Sequence, residues 1–291
     1  MTTRHPLIST TNSARALALM AILGACADKG GEPKTTATQN KNTVVAQNAD
    51  NIAKTPAPKP ASDGWINIPA QQGDSPQEKK RPAFAMAQHE TTVAQYKECV
   101  AAGECVEPKG ADDQANALCN YFRGDDYSKH PMNCVTWREA KQFCEWKGAR
   151  LPTADEWERA ATHDGAQTRK TIFPWGDHAP DHCQNACFEI VTRKESFYCY
   201  ERQKVDFYNG TVAVGMYSPA GDSPLGLKHM ADNVREWTAT PQSPLHTKEE
   251  NALYIIKGGA CYIGAEYLPV AIRDAYPANT KGSSVGFRCV K

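Results

Sequence analysis

Between positions 90 and 161 the apolar residues recur three times with the period of a helix that has one buried face. After Glu90-Thr91-Thr92, the side chains of Val93, Tyr96, Cys99 and Val100 share a face, and Gly103 follows as a stop. A second helix is predicted from Thr136, which can cap the first turn while Glu139 closes a capping box. Trp137, Ala140 and Cys144 form its inner face and Gly148 ends it. Thr153 and Glu156 repeat the device ahead of Trp157, Ala160 and Ala161. Beyond Thr168 the pattern changes to the short apolar runs TVAVGMY, NALYIIKGG and SVGFRCV, broken by Pro, Gly, Asn and Asp. These predict short strands among long loops, so the fold class is α+β with abundant irregular structure.

The N-terminal stretch has a different pattern. Arg4 and Arg15 precede the apolar run ALALMAILGA, which leads directly into Cys26. The run is shorter than the about 20 residues a membrane-spanning helix needs, and residues 1–25 read as a signal peptide. Leu23-Gly24-Ala25-Cys26 resembles the bacterial lipobox, which implies a lipid on Cys26 and a cell-envelope location; Ala27 favours the outer over the inner membrane. From Cys26 to Gly64 there is no aromatic residue, and the stretch ends in alternating Pro56, Pro58 and Pro60. Such a chain cannot bury a core and is expected to be a tether, about 30 Å end to end.

From Trp65 to Lys291 the aromatic residues concentrate, and the length suits one large domain. Formal net charge is zero and no basic cluster interleaves with aromatics, which argues against nucleic acid as a partner. Of the eleven cysteines, ten follow Cys26. An even set in an exported chain predicts a disulfide framework rather than a zinc site. Cys99 with Cys105 and Cys119 with Cys134 are close enough in sequence to pair. Cys261 is expected to bridge to one of Cys183, Cys187 and Cys199 in the segment DHCQNACFEIVTRKESFYCY.

The stretch HPMNCVTWREAKQFCEWKGARLPTADEWERAA, then FPWGD, resembles the signature of the sulfatase-modifying-factor family, whose founding activity is the formylglycine-generating enzyme. WINIPA, HETTVAQYKECV, GLKHMADNVREWT, KGGA and SVGFRCV match it further, in order, across nearly all of residues 65–291. The resemblance implies a loop-rich, disulfide-stabilised domain distantly related to C-type lectins. It also implies a bridge between Cys144 and Cys289, and places Ala161 and Val270 where a second family bridge would stand. The family's oxidase binds copper(I) through two thiolates after the Gly-Gly pair. Here those positions fall on Ile263 and Ala265, so the copper pair is missing, and Cys261 lies two positions before the first.

The resemblance also implies calcium. One site carries over onto Asn185 and the Ala186 carbonyl with Asp206 and the Tyr208 carbonyl. A second carries over onto the carbonyls of Asp232 and Val234 and the carboxylate of Glu236, with His229 where the family has Asn or Asp. Alternatively, Glu236 partners Arg235 or Arg273. His178 and His182 are four apart, but Pro180 between them predicts a loop rather than a zinc helix. Trp137, Trp146, Trp157, Trp175 and Trp237 are expected in the core, or else lining a groove.

Together these features describe a membrane-anchored lipoprotein whose domain lacks the copper oxidase machinery and serves binding or a structural role, with a protein, peptide or glycan as ligand. The alternatives from the same residues are an oxidase or other metal-dependent enzyme of the family, and a glycan-binding module.

Overall fold

The structure is a computed structural model and describes residues 64–72, 80–108, 118–164, 170–181, 184–188, 210–243 and 252–291, with the backbone of 190–191 and 196–197. The predicted signal peptide, Cys26 and the tether to residue 63 lie outside the described residues. No helix among the described residues is long and apolar enough to cross a membrane.

Three α-helices form where the periodicity places them: α1 (Val93–Ala101), α2 (Trp137–Trp146) and α3 (Ala154–Thr162). Each starts on a threonine in a reciprocal capping box, Thr92 with Gln95, Thr136 with Glu139 and Thr153 with Glu156. Each box satisfies two of the amide donors that a helix start leaves unpaired, and a cap of this kind is worth about 1 kcal/mol. Gly103 and Gly148 follow α1 and α2 with φ of 74° and 67°, a backbone conformation in which a Cβ is strained.

The strands are short. β1 (Trp65–Ile68) pairs antiparallel with β2 (Phe84–Ala87), and β3 (Ile190–Val191) with β4 (Ser196–Phe197). The main sheet holds β5 (Arg235–Pro241), β6 (Leu253–Lys257), β7 (Asp274–Pro277) and β8 (Val285–Gly286) in the order β7-β6-β5-β8. Its centre puts Glu236 opposite both Lys257 and Gly286. β5 was not predicted, because ADNVREWT lacks the alternation of a half-exposed strand: Arg235, Glu236, Trp237 and Thr238 are all buried. TVAVGMY is not a strand. It runs into a series of turns through Gly215, whose φ is +89°, and only Val212 and Tyr217 of its large apolar side chains are buried.

Two apolar clusters hold these elements. In the first, Trp137 stacks on Tyr254 at 3.9 Å and Phe143 of α2 stacks on Tyr96 of α1 at 5.7 Å. In the second, Trp157, Ala160 and Ala161 of α3 meet Ile68, Phe84 and Met86 of the first hairpin. Full burial of one such large side chain is worth about 1.5–3 kcal/mol. Ala161 and Val270 lie in this second cluster, so apolar packing occupies the positions of the second family bridge. Trp137, Trp157 and Trp237 are buried in the core, whereas Trp146 and Trp175 are half-buried at its edge.

Candidate functional site

β6 ends in Gly258 and Gly259, and the chain after them packs against residues 231–233. The Gly259 amide donates to the Ala231 carbonyl at 2.9 Å, and that of Cys261 to the Asn233 carbonyl at 3.3 Å. A Cβ on Gly259 would collide with the Ala231 carbonyl and with Leu268, so only glycine permits this approach. The result delivers Cys261 to Cys187, and the two form a disulfide whose residues are 4% and 5% exposed. Cys187 thus answers the question that the three cysteines of its segment pose; Cys183 and Cys199 lie outside the described residues.

Around this bridge the polar groups are tied to backbone. Asn233, at φ of 68°, accepts from the Val212 amide and donates to the Val212 carbonyl. Asp232 accepts from the Cys187 amide through Oδ2 at 2.7 Å and meets Nδ1 of His229 through Oδ1 at 3.0 Å. The Gly215 amide donates to Nε2 of His229 at 2.8 Å, so the ring carries its proton on Nδ1, toward Asp232. Tyr217 packs with Cys187 and Cys261, and its buried hydroxyl has no hydrogen-bond partner. Ile263 and Ala265 follow on the surface side, half-buried. Neither side chain can bind a metal, and Cys261 offers no thiolate, so these residues do not fit copper(I), which takes soft anionic sulfur.

The second calcium site requires a correction. Glu236 is fully buried, and its carboxylate is held by Arg288 at 2.7–2.9 Å through Nε and Nη2, and by Nε1 of Trp157 at 2.8 Å. A carboxylate neutralised by guanidinium does not fit a hard cation that needs six to eight oxygens. Nor is its partner Arg235 or Arg273: Arg235 pairs with Asp274, and Arg273 with Asp155 and Glu158. His229 fills the place of an oxygen ligand and is itself engaged on both nitrogens, so Asp232 and Val234 have no set to join. Of the first site, Asn185 and Ala186 are buried, and Oδ1 of Asn185 already accepts from the Asp181 amide at 3.0 Å. Asp206 and Tyr208 lie outside the described residues. No group of three or more His, Cys, Asp or Glu side chains suited to a metal occurs among the described residues. His178 is exposed on a loop, and His182 lies outside the described residues.

Arg288 is the centre of a buried polar network that the sequence did not reveal. Its remaining donors reach the carbonyls of Ala87, Gln88, Lys228 and His229, joining β2 to the loop before β5. Glu90 lies 4.0 Å from its Nη2, fully buried, with both carboxylate oxygens lacking a hydrogen bond. Burial pushes the Glu90 carboxyl up to about 7, against the opposing pull of Arg288. The bridges Cys99–Cys105, Cys119–Cys134 and Cys144–Cys289 complete the covalent frame; the last ties α2 to the C-terminal segment.

Residues 32–291 match the family described as Sulfatase-modifying factor enzyme 1-like domain. The formylglycine-generating enzyme of Mus musculus is 29% identical over 178 residues, covering 56% of this chain and 44% of that protein. The hercynine oxygenase of Mycolicibacterium thermoresistibile is 36% identical over 114 residues, 39% of this chain and 22% of that protein. The chain therefore spans less than half the length of either curated relative. Among solved structures, one titled Crystal Structure of CarF superposes with a TM-score of 0.58 at 19% identity, covering 78% of this chain and 97% of that one. With the family matched over most of its length and the same fold in a solved relative, the chain belongs to the sulfatase-modifying factor enzyme 1-like domain family.

Proposed function

We propose that this chain is a cell-envelope lipoprotein whose sulfatase-modifying-factor domain no longer performs copper-dependent oxidation and instead acts by binding a protein, peptide or glycan ligand. In this reading Cys26 carries the lipid, residues 27–64 are the tether, and the domain is displayed at the membrane, the outer membrane in preference to the inner. Calcium is not required by the part of the domain built on Asp232, Val234 and Glu236, since that carboxylate is spent on Arg288. The observation that carries the proposal is the segment after Gly259: isoleucine and alanine stand where the resemblance places two thiolates, and the adjacent Cys261 is bridged to Cys187.

Aerobic incubation of the copper-supplied domain with a cysteine-containing sulfatase-type peptide, read by mass spectrometry, tests it. The expected result is a peptide of unchanged thiol mass. An aldehyde product that disappears in a Cys261→Ser variant would establish a thiol-dependent oxidase and overturn the proposal.

A further inference from the structure

A slot of about 100 Å³ opens where the domain begins, between β1, α1 and α2. Benzene takes a cavity of about 150 Å³, so this one has no room for a ring and admits a group of a few atoms. Its polar lining comes from Gln88, His89, Gln95 and Glu98, and Ala87 and Cys289 are among its apolar residues. None of these belongs to the Cys187–Cys261 region, so the slot stands whether or not that region oxidises a peptide.

Most of the hydrogen-bonding capacity left in the slot is acceptor. Gln88 gives its Nε2 to the Gly226 carbonyl at 3.3 Å, which leaves its oxygen to accept. That oxygen stands beside Gly64, another lining residue, 3.9 Å from where a Cβ on the glycine would lie. Nδ1 of His89 meets the Glu90 carbonyl at 2.7 Å and must donate there; burial lowers the pKa of the ring, so the neutral imidazole keeps Nε2 as an acceptor. Glu98 is exposed on α1 and adds two carboxylate oxygens and a negative charge. Against these stands one amide donor, Nε2 of Gln95, whose oxygen accepts from the Thr92 amide at 3.0 Å. Lys147 also lines the slot, but its Nζ lies over the Trp146 ring, 5.7 Å from the centroid. The wall is fixed in advance of binding: the Gln88 amide donates to the Gly64 carbonyl at 2.6 Å, and Arg288 donates to the Gln88 carbonyl at 3.2 Å.

An anion would meet the Glu98 charge and a set of acceptors, and a hydroxyl brings a single donor to them. A metal ion would find one imidazole and one carboxylate, short of the protein ligands of a catalytic zinc site and of the oxygens that calcium takes. A primary ammonium brings a compact positive charge and three N–H donors on a thin stem. We propose that this slot binds a primary ammonium group on an unbranched alkyl stem, with the Gln88 oxygen, Nε2 of His89 and the Glu98 carboxylate accepting its N–H bonds. A free alkylamine and the lysine side chain of a partner protein both present that group, and the two are separated by experiment.

The test is titration of the full chain at fixed ionic strength with n-butylammonium, with 1-butanol, and with a blocked lysine peptide and its Nε-acetyl form, read by the NMR shifts of the His89 ring protons. Butylammonium is expected to saturate with a Kd of about 1 mM, and 1-butanol, of the same shape, to bind at least about tenfold more weakly. Glu98→Gln, at an exposed position that does not endanger folding, is expected to weaken butylammonium binding by about tenfold. Glu266→Gln, at an exposed acid on the turn after Gly264, is expected to bind as the parent does. A lysine peptide that binds more tightly than butylammonium, and loses binding on acetylation, supports a partner's side chain as the source; butylammonium binding more tightly supports a free amine. The proposal is overturned if neither butylammonium nor the lysine peptide binds saturably, if 1-butanol binds as well as butylammonium, or if Glu98→Gln weakens binding no more than Glu266→Gln does.

Discussion

Replacing Glu90 by Gln should stabilise the domain at neutral pH and flatten part of its pH dependence. The carboxyl is fully buried with two unsatisfied oxygens, and burial raises its pKa from 4.5 to about 7. The folded state thus holds the proton more tightly than the unfolded chain does. The stability this confers is fully present below the unfolded value, near pH 4.5, and is lost as pH rises through about 7. At about 1.4 kcal/mol per pH unit, the interval corresponds to about 3 kcal/mol. His130 acts in the opposite sense: burial, with Arg123 nearby, lowers its pKa from 6.5 to about 4, so it removes stability as pH falls through that window. The parent's own profile therefore combines two opposed slopes, and the informative quantity is the difference between variant and parent. Urea unfolding at intervals from pH 4.5 to 8 should show the Gln variant gaining about 3 kcal/mol on the parent across the range, nearly all of it by pH 7.5. Arg288 faces Glu90 and favours its charge, and Glu236 opposes it. A difference that stays constant with pH would mean that Glu90 is ionised throughout, held by Arg288, and would refute the reasoning.

Three further outcomes follow from the same chemistry. Glu236→Gln should destabilise the domain by about 3–5 kcal/mol in urea unfolding, because it leaves the buried Arg288 without its counter-charge; a loss below 1 kcal/mol would show that the carbonyl groups around Arg288 suffice. Removing the Cys144–Cys289 bridge, which spans 145 residues, by double replacement with Ala should cost up to about 5 kcal/mol in the chain-entropy account; an unchanged midpoint of thermal unfolding would count against that account here. Cys26→Ser should release the protein from membranes into the soluble fraction after a high-salt wash, and continued sedimentation with membranes would sink the lipoprotein reading.

The helices were legible because their signals are local. A threonine, a Glu three residues on, and apolar residues at helical spacing lie within one short window, and α2 and α3 start at their predicted caps, while α1 starts where its apolar period begins, on a Thr92–Gln95 box seen only in the structure. β5 was hidden by the opposite circumstance. Its charged residues are buried against groups far away in the chain, so REWT reads as surface although it is the centre of a sheet. TVAVGMY failed in the other direction: apolar composition suggested a strand, but Gly215 turns the chain to bring its amide to His229.

The same distinction governs the site. That Cys261 would be bridged followed from redox compartment and cysteine parity, which need no geometry, but its partner needed the approach that Gly259 allows. The role of Glu236 depended on a residue 52 positions away, Arg288, that no spacing rule connects to it. An ion pair of this kind changes what the site can do, because a carboxylate already neutralised is no longer a ligand for a hard cation. Tryptophan shows the same limit from the other side. The five tryptophans from Trp137 to Trp237 were the natural candidates for a groove, yet three are buried in the core, whereas Trp65, at the start of the first strand, is among the residues that line a small cavity. Its neighbours there, Gln88 to Glu98 from the adjoining strand and helix and Phe143 and Cys289 from distant parts of the chain, meet only when α1, α2 and the C-terminal segment have packed. Chemistry made from one segment is visible in a sequence; chemistry made by bringing distant segments to one place is visible only in the fold.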